Sequence, residues 1–411
     1  MVDYLRKGNF PFRDTEHLRV LCRIMVFTMS GVDYDVIVVG AGTAGCYLAK
    51  RLAKSGIDVA LLEQSSRTKS DSGIVSSHFF EHVPDRSLIK ARIKAMDLVS
   101  PSGTKINIRS NAPFAFLLNR EKLGKKMRAS VRSRIINERF TGCDIHKGWV
   151  DVKTTGTNSP AAAQPRYPTN SSPSASHYSC KVLVGADGAM SAVRRAIGLK
   201  QPEMTWGVIN QTGEGRGHIS VYFNKHYSPD GFAWRIPQNE EAGLLSSVRP
   251  MENLQKFLAD MDTKVNRPVG APIPIGACRS YSDRCLLVGD AAGQVKPLTG
   301  GGMVWGLRCS AIAARAVEYA FDANRYDAFF WKTEYERKWQ AAIGKEMKKQ
   351  LIVRNFYRKI SNEQINRVFE TVKPRLERIG EFDYDSLSEL MKKFPKFSIA
   401  RTFAPSFLRL P

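Results

Sequence analysis

Three short apolar runs, each closed by glycine, punctuate the chain: Val36-Ile37-Val38-Val39 before Gly40, Val182-Leu183-Val184 before Gly185, and Cys285-Leu286-Leu287-Val288 before Gly289. None alternates with polar residues, so each predicts a strand covered on both faces, as in a parallel sheet. After the first run, Thr43 to Lys54 predicts a helix that Gly56 closes, and Val59-Ala60-Leu61-Leu62 predicts a second strand. Ala115-Phe116-Leu117-Leu118 predicts a strand leading into a basic helix from Glu121 to Ser133. Between 205 and 250 the pattern changes to short alternating segments, such as His218 to Phe223 and Gly231 to Pro237, which predict antiparallel strands of a second sheet. Residues 302–322 and most of 330–411 predict helices.

The expected fold class is α/β, α+β overall: a Rossmann-like nucleotide-binding domain, a discontinuous antiparallel-sheet substrate domain and a helical C-terminal region. The expected boundaries are 31–70, 111–200 and 276–330 for the first, 71–110 and 201–275 for the second, and 331–411 for the third. Residues 154–179 carry Thr, Ser, Pro, Ala and Asn almost without large aliphatics and predict a flexible inserted loop. Residues 1–30 precede the first strand as an extension of unknown role. Within it Val20 to Met29 is apolar but contains Arg23 and lacks a small-residue cleavage site, and Met29-Ser30-Gly31 is a candidate start.

The glycines carry the first chemistry. Gly40, Gly42 and Gly45, with Ala44 between the last two, allow a tight turn, close approach of a phosphate and close helix–strand packing. The helix that follows offers its free N–H groups to a pyrophosphate. Glu63 ends the second strand at the distance where a carboxylate accepts ribose hydroxyls. Strand, glycines, helix, strand and acid together predict a dinucleotide site. With the later Asp187-Gly188 and Gly289-Asp290 turns, they describe a chain that wraps around one FAD molecule at three places.

Composition changes the picture in two respects. Among 411 residues, 43% hydrophobic and 25% charged, the balance is that of a globular protein and excludes disorder. Sixty-two Lys and Arg against 39 Asp and Glu leave +23, which favours an anionic partner: nucleic acid, an acidic membrane surface or a phosphorylated substrate. No interleaved basic and aromatic motif supports nucleic acid. Lys345, Lys348, Lys349, Arg354, Arg358 and Lys359 form a cationic stretch that either rests on an anionic bilayer, peripherally at the inner face of the cell membrane, or is a solvated helix face. Seven scattered cysteines without a Cys-x-x-Cys pair suggest neither a disulfide framework nor a metal site, and point to a reducing cytoplasm. No apolar run reaches the length of a transmembrane helix.

Gly40 to Gly45 with Glu63, the Asp187-Gly188 turn, and the run from Gly289-Asp290 to Pro297-Leu298-Thr299-Gly300-Gly301-Gly302-Met303 resemble the para-hydroxybenzoate hydroxylase superfamily of FAD proteins. More narrowly, that run and Phe232-x-Trp234-x-Ile236-Pro237 are similar to the geranylgeranyl reductase family, of the digeranylgeranylglycerophospholipid reductase type. The likeness covers about 33–400, loosely in the C-terminal third.

The resemblance implies FAD as cofactor and a role for each matching residue. Asp290 would bind the ribityl and pyrophosphate region, and Gly302 and Met303 would bring backbone N–H groups and a helix dipole to the pyrimidine edge of the flavin. Arg120 would contact the nucleotide half, the backbone near Phe140 would flank the adenine, and Asp187 would join them. Asp71 and Ser72 would line the flavin pocket through backbone contacts, Asp71 standing where cysteine is common in the family. Phe232 and Trp234 would wall an apolar substrate pocket, and His78 or His82 would be a proton donor, although no catalytic residue is singled out. The activity implied is saturation of geranylgeranyl chains on archaeal ether-lipid glycerophospholipids, with NAD(P)H or ferredoxin as electron donor. The rival within the superfamily is a monooxygenase or halogenase, because the Phe232 motif is also close to a Trp-x-Trp-x-Ile-Pro halogenase motif. A third reading is an FAD-stabilised binding protein without catalysis.

Overall fold

The structure, a computed structural model, describes residues 31–65, 72–156, 175–213, 215, 217–380 and 383–386. Its central sheet has Tyr34–Val39 in the middle, parallel to Val59–Leu62 on one side and to Ala175–Gly185 on the other. Arg134–Ile136 extends it beyond Val59–Leu62, and Cys285–Leu287 runs parallel beyond Ala175–Gly185. The absence of alternation in the three apolar runs has its reason here. Val36 and Val38 belong to one core cluster, with Leu48 and Leu307, whereas Ile37 and Val39 belong to another, with Leu183 and Leu287. Both faces are buried, as a parallel sheet demands.

A second sheet of seven strands stands beside it, in the order Val269–Ile275, Glu203–Gln211, Glu241–Ser246, Ala233–Ile236, Ile219–Tyr222, Ala95–Val99 and Lys105–Arg109. A three-stranded sheet, Ile74–Val75, Ala115–Leu118 and Ile89–Ile93, lies within the same molecule. The Ala115–Leu118 strand pairs there and not in the central sheet, and its helix spans Arg120–Ala129, four residues shorter at its end than the pattern suggests. At the 154–179 segment the ladder runs inward from both sides, with Thr154 opposite Ser176 and Thr155 opposite Ala175. Backbone pairing outweighs turn-rich composition there, helped by Glu138, whose carboxylate accepts from Thr154 and from Ser176 Oγ at 3.3 Å.

The helix Met303–Ala323 packs across Thr43–Lys54, and both start at the same place. A side chain on Gly306 would lie 3.5 Å from the Gly289 Cα and 3.9 Å from the Ala44 Cβ, so two glycine turns and two helix N-termini meet. No helix among the described residues is long and apolar enough to cross a membrane.

Candidate active site

The glycines of the first turn divide the labour. Gly40 has φ +102°, and a Cβ there would sit 2.5 Å from the Ala186 carbonyl oxygen; one on Gly45 would sit 2.0 Å from the Gly40 oxygen. A Cβ on Gly42 meets nothing within 4 Å. Gly40 and Gly45 are therefore required by packing, and Gly42 leaves space. No side chain caps the Thr43–Lys54 helix and its first turn holds no acid, so its leading N–H groups are offered to a ligand. Glu63 braces the turn by accepting from the Ala41 N–H at 2.8 Å, with the Arg128 guanidinium 3.8 Å from the same carboxylate. Arg128 also donates to the Ala41 carbonyl at 3.4 Å and lines the cavity. Its position on the basic helix carries no sequence signal for this role.

The other two turns close on the same place. Asp187 spends its carboxylate on Ser191 Oγ at 2.6 Å and the N–H groups of Ala192 and Val193 at 2.6 and 3.1 Å, while Ala186 and Gly188 face the cavity. Gly289 donates its N–H to Gln294 Oε1 at 2.7 Å, and Gln294 Nε2 in turn donates to the Tyr335 hydroxyl at 2.8 Å, which itself donates to the Leu287 carbonyl. The buried Arg194 holds the Ala291 carbonyl at 2.7 and 2.9 Å. Asp290 is set against Gly302, where a Cβ would come within 2.8 Å of its carboxylate. Arg120 lays its stem along Gly73, where a Cβ would meet its Cγ and Cδ at 2.9 Å.

One cavity of about 480 Å³ gathers these parts. It brings together Gly42, Ala44, Ser72, Arg120, Asp290, Gly302 and Met303 of the expected cofactor set with Phe232 and Trp234 of the expected substrate wall. Gly40, Gly45, Glu63 and Asp187 stand behind this lining as supports. Phe140 is buried in the core beside Val39 and Leu62 and does not line the cavity, and Asp71 lies outside the described residues. Beyond the glycines the wall turns apolar, through Ile93, Met96, Ile219, Leu245 and Ile273, with the Phe232 and Trp234 rings 5.8 Å apart.

Several groups at this wall escape sequence reasoning. Glu241 is fully buried and accepts from Trp234 Nε1 at 2.7 Å, from Asn239 Nδ2 at 2.8 Å and from the Ser72 hydroxyl. It ties the expected flavin side to the expected substrate side. Lys296, also buried, meets the buried Asp385 at 2.6 Å, and both Lys296 and Tyr384 line the cavity.

The two candidate histidines are elsewhere. His78 hydrogen-bonds Glu81 at 2.6 Å, which raises its pKa, and His82 lies 3.2 Å from the Tyr47 hydroxyl, with burial lowering its pKa. Neither lines the cavity, because the short helix Phe79–His82 turns them away from it. Burial also pushes the Cys46 thiol up to about 12 and the Cys143 thiol up to about 11, so these sulfurs stay protonated. The cationic stretch is interrupted as well: Arg354 is buried against Asp230 at 2.8 Å, and Arg358 pairs with Glu203 at 3.0 Å. No group of three His, Cys, Asp or Glu among the described residues is placed to hold a metal.

The residues present fit FAD: an open cradle at Gly42, two uncapped helix starts, and a cavity long enough to pass from the glycine turns to an apolar end. Comparison with known proteins agrees. A curated relative, digeranylgeranylglycerophospholipid reductase 2 of Methanothermobacter thermautotrophicus, is 26% identical over 395 residues, covering 89% of this chain and 97% of that protein. A solved geranylgeranyl bacteriochlorophyll reductase-like protein of Thermoplasma acidophilum superposes with TM-score 0.76 at 18% identity, over 90% of this chain and 98% of the other. A halogenase solved with phloroglucinol and FAD superposes with TM-score 0.59 at 15% identity, over 83% of this chain and 80% of the other. The family model described as FAD binding domain matches residues 33–268. The chain belongs to this FAD binding domain family and is an FAD-dependent oxidoreductase.

Proposed function

We propose that the protein saturates the isolated double bonds of geranylgeranyl chains carried on archaeal ether-type glycerophospholipids. The observation that carries this reading is a cavity in which the glycine turns and an apolar wall are continuous. Bound in its reduced form, FAD supplies hydride to one carbon of an alkene that has no carbonyl to activate it. The chain's own part is to hold and to exclude. Free N–H groups at Thr43 and Ala44 take the pyrophosphate, Asp290 the ribityl hydroxyls, and the start of the Met303–Ala323 helix favours negative charge on the flavin ring. Glu63 and Asp187 keep their turns in shape, and Phe232 and Trp234 keep water from the alkene. The electron donor is NAD(P)H or ferredoxin. The exposed Lys345, Lys348, Lys349 and Lys359 would meet anionic headgroups as the lipid is taken up.

The test is anaerobic. Photoreduced protein mixed with a geranylgeranylated glycerophospholipid should reoxidise without oxygen and add the mass of dihydrogen for each double bond. A monooxygenase or halogenase, the rival raised by the likeness of the Phe232 motif to a halogenase motif, needs oxygen and inserts oxygen or halogen. Product formation only with oxygen would replace the reductase reading.

A further inference from the structure

We propose that Tyr384 is the acid that protonates the alkene, with the Lys296–Asp385 pair as its positioning device; this rests on the reductase reading above. Saturation needs a proton at the carbon opposite the one that takes hydride, and the acid must face the substrate. The ionisable groups lining the cavity among the described residues are Arg120, Arg128, Asp290, Lys296 and Tyr384. An arginine does not release its proton in a protein. Asp290 faces the Gly302 turn at the cofactor end, and the Lys296 ammonium is engaged by Asp385 at 2.6 Å. Tyr384 remains, and it packs against the cluster that contains Trp234, Ile236 and Leu245, where the hydrocarbon would lie.

The surroundings suit the role. Lys296 Nζ lies 4.7 Å from the Tyr384 ring centroid and would stand beside a Cβ on Gly301 at 3.2 Å, so one cation borders both the phenol and the glycine turn. Asp385 fixes that cation and also accepts from the Ser76 hydroxyl, while Asp383 approaches His78 at 3.5 Å. Residues 383–386 are thereby held to the cavity wall. Burial raises the phenol's pKa and the Lys296 charge opposes it, so the phenol carries its proton when the substrate is bound.

The step balances. Two electrons and one hydrogen reach the first carbon as hydride from the reduced flavin. The Tyr384 O–H bond breaks, its proton forms the second C–H bond, the electron pair stays on oxygen as phenolate, and a solvent proton restores the phenol.

The experiment compares full-length wild-type, Tyr384→Phe, Lys296→Met and Lys296→Arg holoproteins. Flavin fluorescence on titrating apoprotein gives FAD affinity, perturbation of the oxidised flavin spectrum gives lipid binding, and anaerobic stopped-flow gives reoxidation by a geranylgeranylated glycerophospholipid. Tyr384→Phe should bind FAD and lipid as wild type does and reoxidise about a hundredfold more slowly. Lys296→Met should slow the same phase at unchanged FAD affinity, and Lys296→Arg should restore most of it. Wild-type reoxidation by Tyr384→Phe overturns the proposal while leaving the reductase reading intact; so does a loss of FAD or lipid binding that matches the loss of rate. A wild-type protein that no prenyl lipid reoxidises removes both.

Discussion

At Gly42 and Gly45 the same residue type answers to different physics, and substitution separates them. Gly45→Ala drives a methyl into the Gly40 carbonyl and should prevent folding of the turn, whereas Gly42→Ala meets no protein atom within 4 Å. Gly42→Ala is therefore expected to leave the apoprotein's melting temperature unchanged and to weaken FAD by about tenfold or more, read by flavin fluorescence. Glu241 makes the opposite kind of demand. Its carboxylate serves Trp234, Asn239 and Ser72 while fully buried, so Glu241→Ala strands those donors. A loss of about 3 kcal/mol in denaturant unfolding is expected, with Glu241→Gln milder because it keeps an acceptor.

Among the elements, the two helix starts at Thr43 and Met303 matter through what they lack: neither has a side-chain cap or a first-turn acid. The C-terminal helices show the contrary case, since Ser361 and Gln364 form a complete capping box at the Asn362–Leu376 helix. Between them, wide π turns at Lys332–Glu336 and Gln340–Gly344 let Tyr335, Trp339 and Ile343 all bury, and Tyr335 reaches the Gly289 turn through Gln294. The short Phe79–His82 helix has a pH signature of its own. Burial lowers the His82 pKa from its ordinary 6.5, against the opposing charge of Glu81 and with help from Arg308, Arg51 and His78. The native state then binds fewer protons than the unfolded one as pH falls below 6.5, and stability is lost in that direction. His78, whose pKa is raised by Glu81, contributes in the other sense: its stabilisation is present below 6.5 and fades as pH rises. His82→Gln should flatten the acid side of a melting-temperature profile, and His78→Gln should steepen it.

Across the whole molecule the net charge of +23 is not uniformly available. Arg354 and Arg358 are engaged by Asp230 and Glu203, while Lys345, Lys348, Lys349 and Lys359 stay exposed around Ile352, which is 68% exposed. That mixture of lysines and one apolar side chain suits the headgroup region of an anionic bilayer. Lys348→Glu with Lys349→Glu should lower co-sedimentation with anionic vesicles about tenfold at low salt, and rising ionic strength should release the wild type. Unchanged sedimentation would leave the stretch a solvated helix face.

The glycine turns and the parallel strands with both faces buried were legible along the chain because each shows within a run of a few residues: a period, a turn, a helix start. The Phe232 and Trp234 wall was implied by the family resemblance, and Glu63, expected at a ribose, braces the Ala41 N–H. The family resemblance drew on the same local runs. What pairing and packing decided lay beyond that reach. Glu241 meets Ser72 across 169 positions and Lys296 meets Asp385 across 89, and nothing local marks either carboxylate for burial. Likewise, Arg354 looked like one more cation of a basic helix until Asp230, 124 residues away, took it inside. A buried charge is tolerated only where a counter-charge or a set of hydrogen-bond partners arrives, and the fold alone determines where that is.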